Sequence, residues 1–151
     1  MKITDIINTD VVTLPADRSI AEAAALLREH HIGDVVIIDP VTQAAPVPVG
    51  ILTDRDIVLS VLAGGLDDSA VTVGDIMSDD LMTLARDAEL LAALALMRER
   101  GVRRAPVVDD DGVLAGIVSL DDILCHFGDA LGEVAELIRQ ARGIERYRRP
   151  A

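Results

Sequence analysis

The sequence predicts an α+β fold made of two tandem copies of one βαββα unit, followed by a C-terminal helix. Two observations predict it. Shifting the chain by 70 residues lays residues 3–39 over 73–109 without a gap, so that Asp5-Ile6 falls on Asp75-Ile76, Thr13-Leu14 on Thr83-Leu84 and Arg28-Glu29 on Arg98-Glu99. After four extra residues in the first copy the match resumes at an offset of 66. There Gly50-Ile51-Leu52-Thr53-Asp54-Arg55-Asp56-Ile57 lies over Gly116-Ile117-Val118-Ser119-Leu120-Asp121-Asp122-Ile123. A duplication of this length sets the architecture before any local propensity is weighed.

Each copy supplies the same elements in the same order. A short segment ends in Val11-Val12-Thr13, or Leu81-Met82-Thr83, and leads into a loop. Ser19 can cap a helix over 20–31, whose apolar residues recur at helical spacing; its counterpart runs over 89–101. Apolar runs of strand length follow at 35–38 and 105–108, bounded by polar residues. The next turn is built on Pro40 and its neighbours in the first copy and on Asp109-Asp110-Asp111-Gly112 in the second. A second strand, over 49–52 or 114–118, runs into a helix beginning near Asp54 or Leu120. So few strands and helices bury little alone. The copies, 1–66 and 67–128, are therefore expected to pack sheet against sheet about a pseudo-two-fold axis, with 129–151 a helical tail.

Composition narrows the partners. Half the residues are hydrophobic and almost all of these are aliphatic, with Phe127 and Tyr147 the only aromatics. Bases and sugars thus lack rings to stack on. A formal charge of −12 disfavours nucleic acid and anionic membrane, because phosphate arrays are neutralised by Lys and Arg. A phosphate-bearing ligand would need a few local groups. The single Cys125 excludes an internal disulfide and suits a reducing compartment. No secretion signal opens the chain, and no stretch approaches the ~20 apolar residues of a membrane span, so the expected location is cytoplasmic.

The pattern Gly-hydrophobic-hydrophobic-Thr/Ser-x-x-Asp, given at Gly50 and again at Gly116, resembles that of the CBS (cystathionine β-synthase) domain pair, or Bateman module. The resemblance covers about residues 2–127, and residues 50–57 are especially similar to small stand-alone bacterial CBS-pair proteins. It implies an adenosyl ligand in clefts between the copies, with the Thr or Ser bonding phosphate or ribose and the Asp gripping the ribose hydroxyls. Chemistry supports this: one carboxylate can accept from both hydroxyls of a cis-diol, and the hydroxyl stands at a helix start that favours anions.

By the same resemblance, one cleft takes Ser119 and Asp122, with Thr9, Val11 and Ile32 around the base. Arg103-Arg104, at the position where the family often carries a phosphate-binding basic residue, are assigned to it. The other takes Thr53 and Asp56, with Leu81 and Val102 near the base and Gly33-Asp34 at the basic position. An aspartate there repels phosphate. The Ser119/Asp122 cleft is therefore expected to be the stronger site, and the Thr53/Asp56 cleft to take a neutral nucleoside or nothing.

Structural readings compete with these. Ser, Thr and Asp are preferred helix caps, although capping alone does not require the same offset twice. Arg103-Arg104 could be a solvated pair. The Asp109–Gly112 run reads as a turn, since the distant Glu of a calcium loop is missing. His30-His31 and Cys125-His126 are adjacent pairs whose side chains diverge, so no metal is expected. The carboxylates Asp54/Asp56 and Asp121/Asp122 lack any further catalytic partner, and no phosphate loop, nucleophile elbow or zinc helix is present. No enzyme and no cofactor is expected.

In the tail, Leu131, Val134, Leu137, Ile138, Ala141 and Ile144 recur at helical spacing beside Arg139, Arg142, Arg146, Arg148 and Arg149. It reads as a helix packed on its own domain or a dimer mate, or as a docking element for a partner protein; the resemblance implies a homodimer. The expected function is regulatory binding of AMP, ADP or ATP. The alternatives are a ligand-free interaction module, or a sensor of S-adenosylmethionine or NAD.

Overall fold

Thr13–Pro15 (β1) pairs in parallel with Asp34–Ile38 (β2), which pairs antiparallel with Pro48–Thr53 (β3) in the computed structural model of the chain. Leu84–Ala85 (β4), Arg104–Val108 (β5) and Leu114–Ser119 (β6) form a second sheet in the same order. Leu14 opposite Ile37 is repeated as Leu84 opposite Val107, 70 residues on. The helices are Ile20–His30 (α1), Asp54–Asp56 (α2, continuing as π-helical Ile57–Ala63), Val73–Ile76 (α3), Leu90–Arg100 (α4) and Leu120–Arg148 (α5). The structure describes residues 1–41, 45–78 and 80–148, with the backbone alone for 143 and 145–148. Part of the turn that follows Pro40 (42–44) and Arg149 with residues 150–151 lie outside the described residues. Residues Met1–Val118 make one compact unit and Ser119–Ala151 another.

In the first unit, α1 caps itself as the sequence suggests: the Glu22 N–H donates to Ser19 Oγ (3.2 Å) and the Ser19 N–H to Glu22 Oε2 (2.9 Å). Its Ala23 and Leu27 pack with Val35, Ile37 and Leu52 of the sheet. Val36 and Ile38, on the opposite face of β2, are buried as well. Both faces of the sheet are thus covered, as pairing of the two copies through their sheets requires. The first strand lies two residues later than the sequence suggested. Val11 and Val12 precede it; the Val12 carbonyl accepts from the Val36 N–H (3.1 Å), and its side chain packs against the core of the first copy.

The copies also exchange their leading segments. The Ile3 N–H bonds the Ala88 carbonyl (3.0 Å), and its repeat equivalent, the Val73 N–H, bonds the Arg18 carbonyl (2.9 Å). Asn8 and Ile117 exchange two hydrogen bonds of 2.9 Å, while the Ser78 N–H bonds the Ile51 carbonyl at 3.0 Å. Each leader therefore lies along the last strand of the other copy, which realises the pseudo-two-fold. Ile3 and Val73 are fully buried, and Val73 joins the core of the first copy. The repeated Asp5-Ile6 and Asp75-Ile76 now have a cause. Asp5 accepts from the Lys2 N–H (2.9 Å) and Asp75 from the Thr72 N–H (2.7 Å), closing each leader's turn. The Thr72 backbone bond first, then its hydroxyl, hold the Asp75 carboxyl below the usual carboxylate range.

The two long helices of this unit end differently. Gly101 closes α4 at φ 67°, but His31 closes α1 at φ 53°, in the left-handed region that strains a side chain. His31→Gly is expected to stabilise the chain by about 1 kcal/mol, read as a rise in urea midpoint at unchanged slope; a lower midpoint would deny the strain.

In the second unit, α5 is one helix of 29 residues, roughly 43 Å long at 1.5 Å per residue. The boundary expected at 128/129 is not a break. Gly128 and Gly132 are carried inside the helix, since Leu, Ala and Glu around them are strong helix formers and no proline intervenes before Pro150. No helix of the described residues is long and apolar enough to cross a membrane.

Candidate functional site

Thr53 ends β3 in extended conformation and its side chain caps α2. Its N–H (2.9 Å) and hydroxyl (2.7 Å) both donate to Asp56 Oδ2, and the Asp56 N–H donates back to Thr53 Oγ1 (3.1 Å). Ser119 and Asp122 repeat this in the second unit. The Ser119 N–H (2.9 Å) and hydroxyl (2.5 Å) donate to Asp122 Oδ2, and the Asp122 N–H donates to Ser119 Oγ (3.1 Å). Both motifs are capping boxes with the acid at the third helical position, so the structural reading of the spacing holds. In each box a single carboxylate oxygen does the capping, and Oδ1 takes no part.

Capping does not require a cavity, and the Thr53–Asp56 box borders one of about 490 Å³. That volume is in the range of small-molecule sites. Leu81 and Val102, both half-buried, line it as expected, and so do Arg103 and Arg104. This regroups the arginines, which the sequence reading had assigned to Ser119 and Asp122. The ion pair of Arg104 with Asp34 accounts for this, because Asp34 stands opposite Thr53 in the first sheet. Ser78 and Asp80 also line the cavity. They were missed because only the exchange of leading segments brings the second copy's leader to Ile51.

Arg104 Nη1 forms an ion pair with Asp34 Oδ1, between positions that correspond in the two copies. The Asp34 side chain is only 12% exposed and that of Arg104 34%. Asp34 is thus a neutralised carboxylate, not the bare repulsive charge expected from sequence. Asp80 pairs with Arg100 at 3.3 Å on the exposed rim. Thr9, Val11 and Ile32 do not line this cavity. Thr9 is exposed, Val11 is half-buried, and Ile32 packs against the core of the first copy. Asp109 Oδ1 accepts from the N–H groups of Asp111 (3.0 Å) and Val113 (2.9 Å), and Gly112 adopts φ 79°, so the aspartate run is a turn. Among the described residues, no three His, Cys, Asp or Glu side chains are grouped to hold a metal ion.

The duplication and twin boxes have a counterpart in known proteins: the family model of the CBS domain matches residues 3–63 and again 73–129. The chain belongs to the CBS domain family. Protein MK0525 of Methanopyrus kandleri is 39% identical over 124 residues, which cover 82% of this chain and 61% of that protein, so the chain spans about three fifths of this relative. Hypoxic response protein 1 of Mycobacterium tuberculosis is 36% identical over 122 residues, covering 81% of this chain and 82% of that one. A crystal structure of hypoxic response protein I with two coordinated zinc ions superposes with a TM-score of 0.72 at 35% identity, covering 83% of this chain and 98% of that one. The CBS domain pair of protein MJ0100, in complex with 5'-methylthioadenosine and S-adenosyl-L-methionine, gives 0.72 at 30% identity, covering 86% and 98%.

Proposed function

We propose that the chain is a regulatory, non-catalytic CBS pair that binds an adenine nucleotide in the Thr53/Asp56 cavity. The observation that carries this reading is the cavity itself, whose lining includes the Asp56 carboxylate, the aliphatic Ile51, Leu81 and Val102, and the side chains of Arg55, Arg103 and Arg104, beside Asp54 and Asp80. Leu81 and Val102 form the apolar walls for adenine. Asp56 Oδ1 accepts from the ribose hydroxyls while Oδ2 keeps its cap, and Arg103 and Arg104 meet the phosphate. Bound ligand favours one arrangement of the copies only as far as its affinity for two arrangements differs. The Ser119/Asp122 box of the second unit is the second candidate site. It now lacks the phosphate advantage first assigned to it. The working setting is the cytoplasm, and the module acts as a homodimer.

A second reading is a sulfur-bearing adenosyl ligand, favoured by the complex of the MJ0100 pair with 5'-methylthioadenosine and S-adenosyl-L-methionine. The arginines favour phosphate over a sulfonium cation. Thermal unfolding decides between them. At 100 times its dissociation constant a ligand adds about 2.7 kcal/mol, a rise of roughly 5–10 °C for a chain this size. The expected result is such a rise with AMP, ADP or ATP, lost in Asp56→Asn and kept in Asp122→Asn. Loss in Asp122→Asn alone would move the nucleotide to the other box.

A further inference from the structure

We propose that Asp34 sets the selectivity of the cavity between phosphorylated and phosphate-free adenosyl ligands, by holding the Arg104 guanidinium against the phosphate. The proposal deepens the function given above and rests on it. Three observations lead there. First, Asp34 and Arg104 open β2 and β5, at positions 70 residues apart that the duplication makes equivalent. A residue that meets its own repeat equivalent lies at the pseudo-two-fold axis, where an identical pair would set like charge against like. The chain carries opposite charges there, and they form an ion pair.

Second, only one member of the pair lines the cavity. Arg104 does, as do Gly33 before Asp34 and Thr53 opposite it in the sheet, but Asp34 itself does not. A phosphate reaching Arg104 thus meets a guanidinium whose single charge is already balanced, with the balancing carboxylate close behind it. Two anions about one cation repel each other, and half-burial of the pair keeps solvent from screening them fully. Third, the formal charges about the cavity balance only when Asp34 is counted. The rim pair of Asp80 with Arg100 is neutral in itself. The other charged lining residues are Asp54, Asp56, Arg55, Arg103 and Arg104, one cation in excess, and Asp34 cancels that excess. A neutral surround admits a phosphate-free nucleoside without penalty and lowers the attraction for a phosphate dianion. Arg103 is then the phosphate's main contact, and Arg104 adds to it only at the expense of its bond to Asp34.

The test is isothermal titration of the full chain, parent and Asp34→Asn, with AMP and 5'-methylthioadenosine. Asparagine keeps the shape of the side chain and still accepts from Arg104, so it removes the charge alone. Asp34→Asn should tighten AMP by roughly ten-fold, the weight of one half-buried charge, and leave 5'-methylthioadenosine within about two-fold. Asp17→Asn, which removes an exposed carboxylate outside the lining and beyond the other end of the first sheet, should move neither ligand. In the parent chain, the Arg104 Nε–H resonance should shift with AMP and stay in place with 5'-methylthioadenosine. Unchanged AMP affinity in Asp34→Asn would overturn the proposal, and a fall would make Asp34 the support that orients Arg104. An equal gain for both ligands, or the same gain in Asp17→Asn, would overturn the selectivity. AMP binding that leaves the Arg104 resonance unmoved would overturn it without recourse to any variant. If the parent bound neither ligand, the function proposed above would itself fall, and this inference with it.

Discussion

Gly116→Ala is expected to lower the melting midpoint by roughly 5–10 °C, corresponding to about 2–3 kcal/mol of overpacking. A Cβ there would stand 2.3 Å from Ile7 Cγ1 and 2.7 Å from the Asn8 carbonyl oxygen. Neither neighbour yields easily. Ile7 is β-branched, and the Asn8 carbonyl is fixed by the Ile117 N–H (2.9 Å). The pseudo-equivalent Gly50→Ala should cost less, because its closest neighbour is the flexible Met77 side chain, 2.3 Å from Sδ, and the backbone oxygen of Ser78 stands at 2.9 Å against 2.7 Å for that of Asn8 at Gly116. Gly132→Ala is the control of opposite sign: nothing stands within 4 Å and alanine is the better helix former, so the midpoint should rise. Calorimetric melting of the three variants reads the order. An unchanged midpoint in Gly116→Ala would mean that the first copy's leader does not lie against β6.

Arg103→Ala should weaken AMP by roughly 10- to 100-fold, from the 1.5–3 kcal/mol of a hydrogen bond to a charged group. It should leave 5'-methylthioadenosine, which carries no phosphate, within about two-fold. The contrast between these ligands separates a phosphate contact from a general disturbance of the cavity. Truncating Arg104 would strip the half-buried Asp34 of its counter-charge and mix a stability loss into the reading. Isothermal titration with both ligands gives the ratio. Equal losses for the two, or none, would take Arg103 out of the phosphate site.

The duplicated βαββα order, both helix starts and the aspartate turn were legible because the repeat doubles every weak local signal. Ser19, Thr53 and Ser119 announce helices through short-range chemistry that needs no tertiary context. The exchange of leaders was not legible. Ile3 and Val73 read as ordinary apolar residues, and nothing local says that each belongs to the other copy's core. The repeated Gly50 and Gly116 were visible, but their reason, close approach of the exchanged leader, lies in contacts more than twenty residues away in the chain. For the site, the sequence reading places Arg103 and Arg104 with Ser119 and Asp122, whereas they line the cavity beside Thr53 and Asp56. The sequence marked Asp34 as repulsive by its charge, whereas the structure supplies Arg104 as its partner.

The most direct measurement is a methyl-resolved NMR titration of the Leu- and Val-labelled chain with AMP, ADP, ATP, 5'-methylthioadenosine and S-adenosylmethionine. Adenine between Leu81 and Val102 places an aromatic ring current over their methyl groups. The expected result is a saturable shift of those two residues with a nucleotide, while Leu91, exposed on α4, stays still. If none of the five compounds moved any Leu or Val methyl group, the adenosyl-binding reading would fail, and the chain would stand as an interaction module of the CBS family.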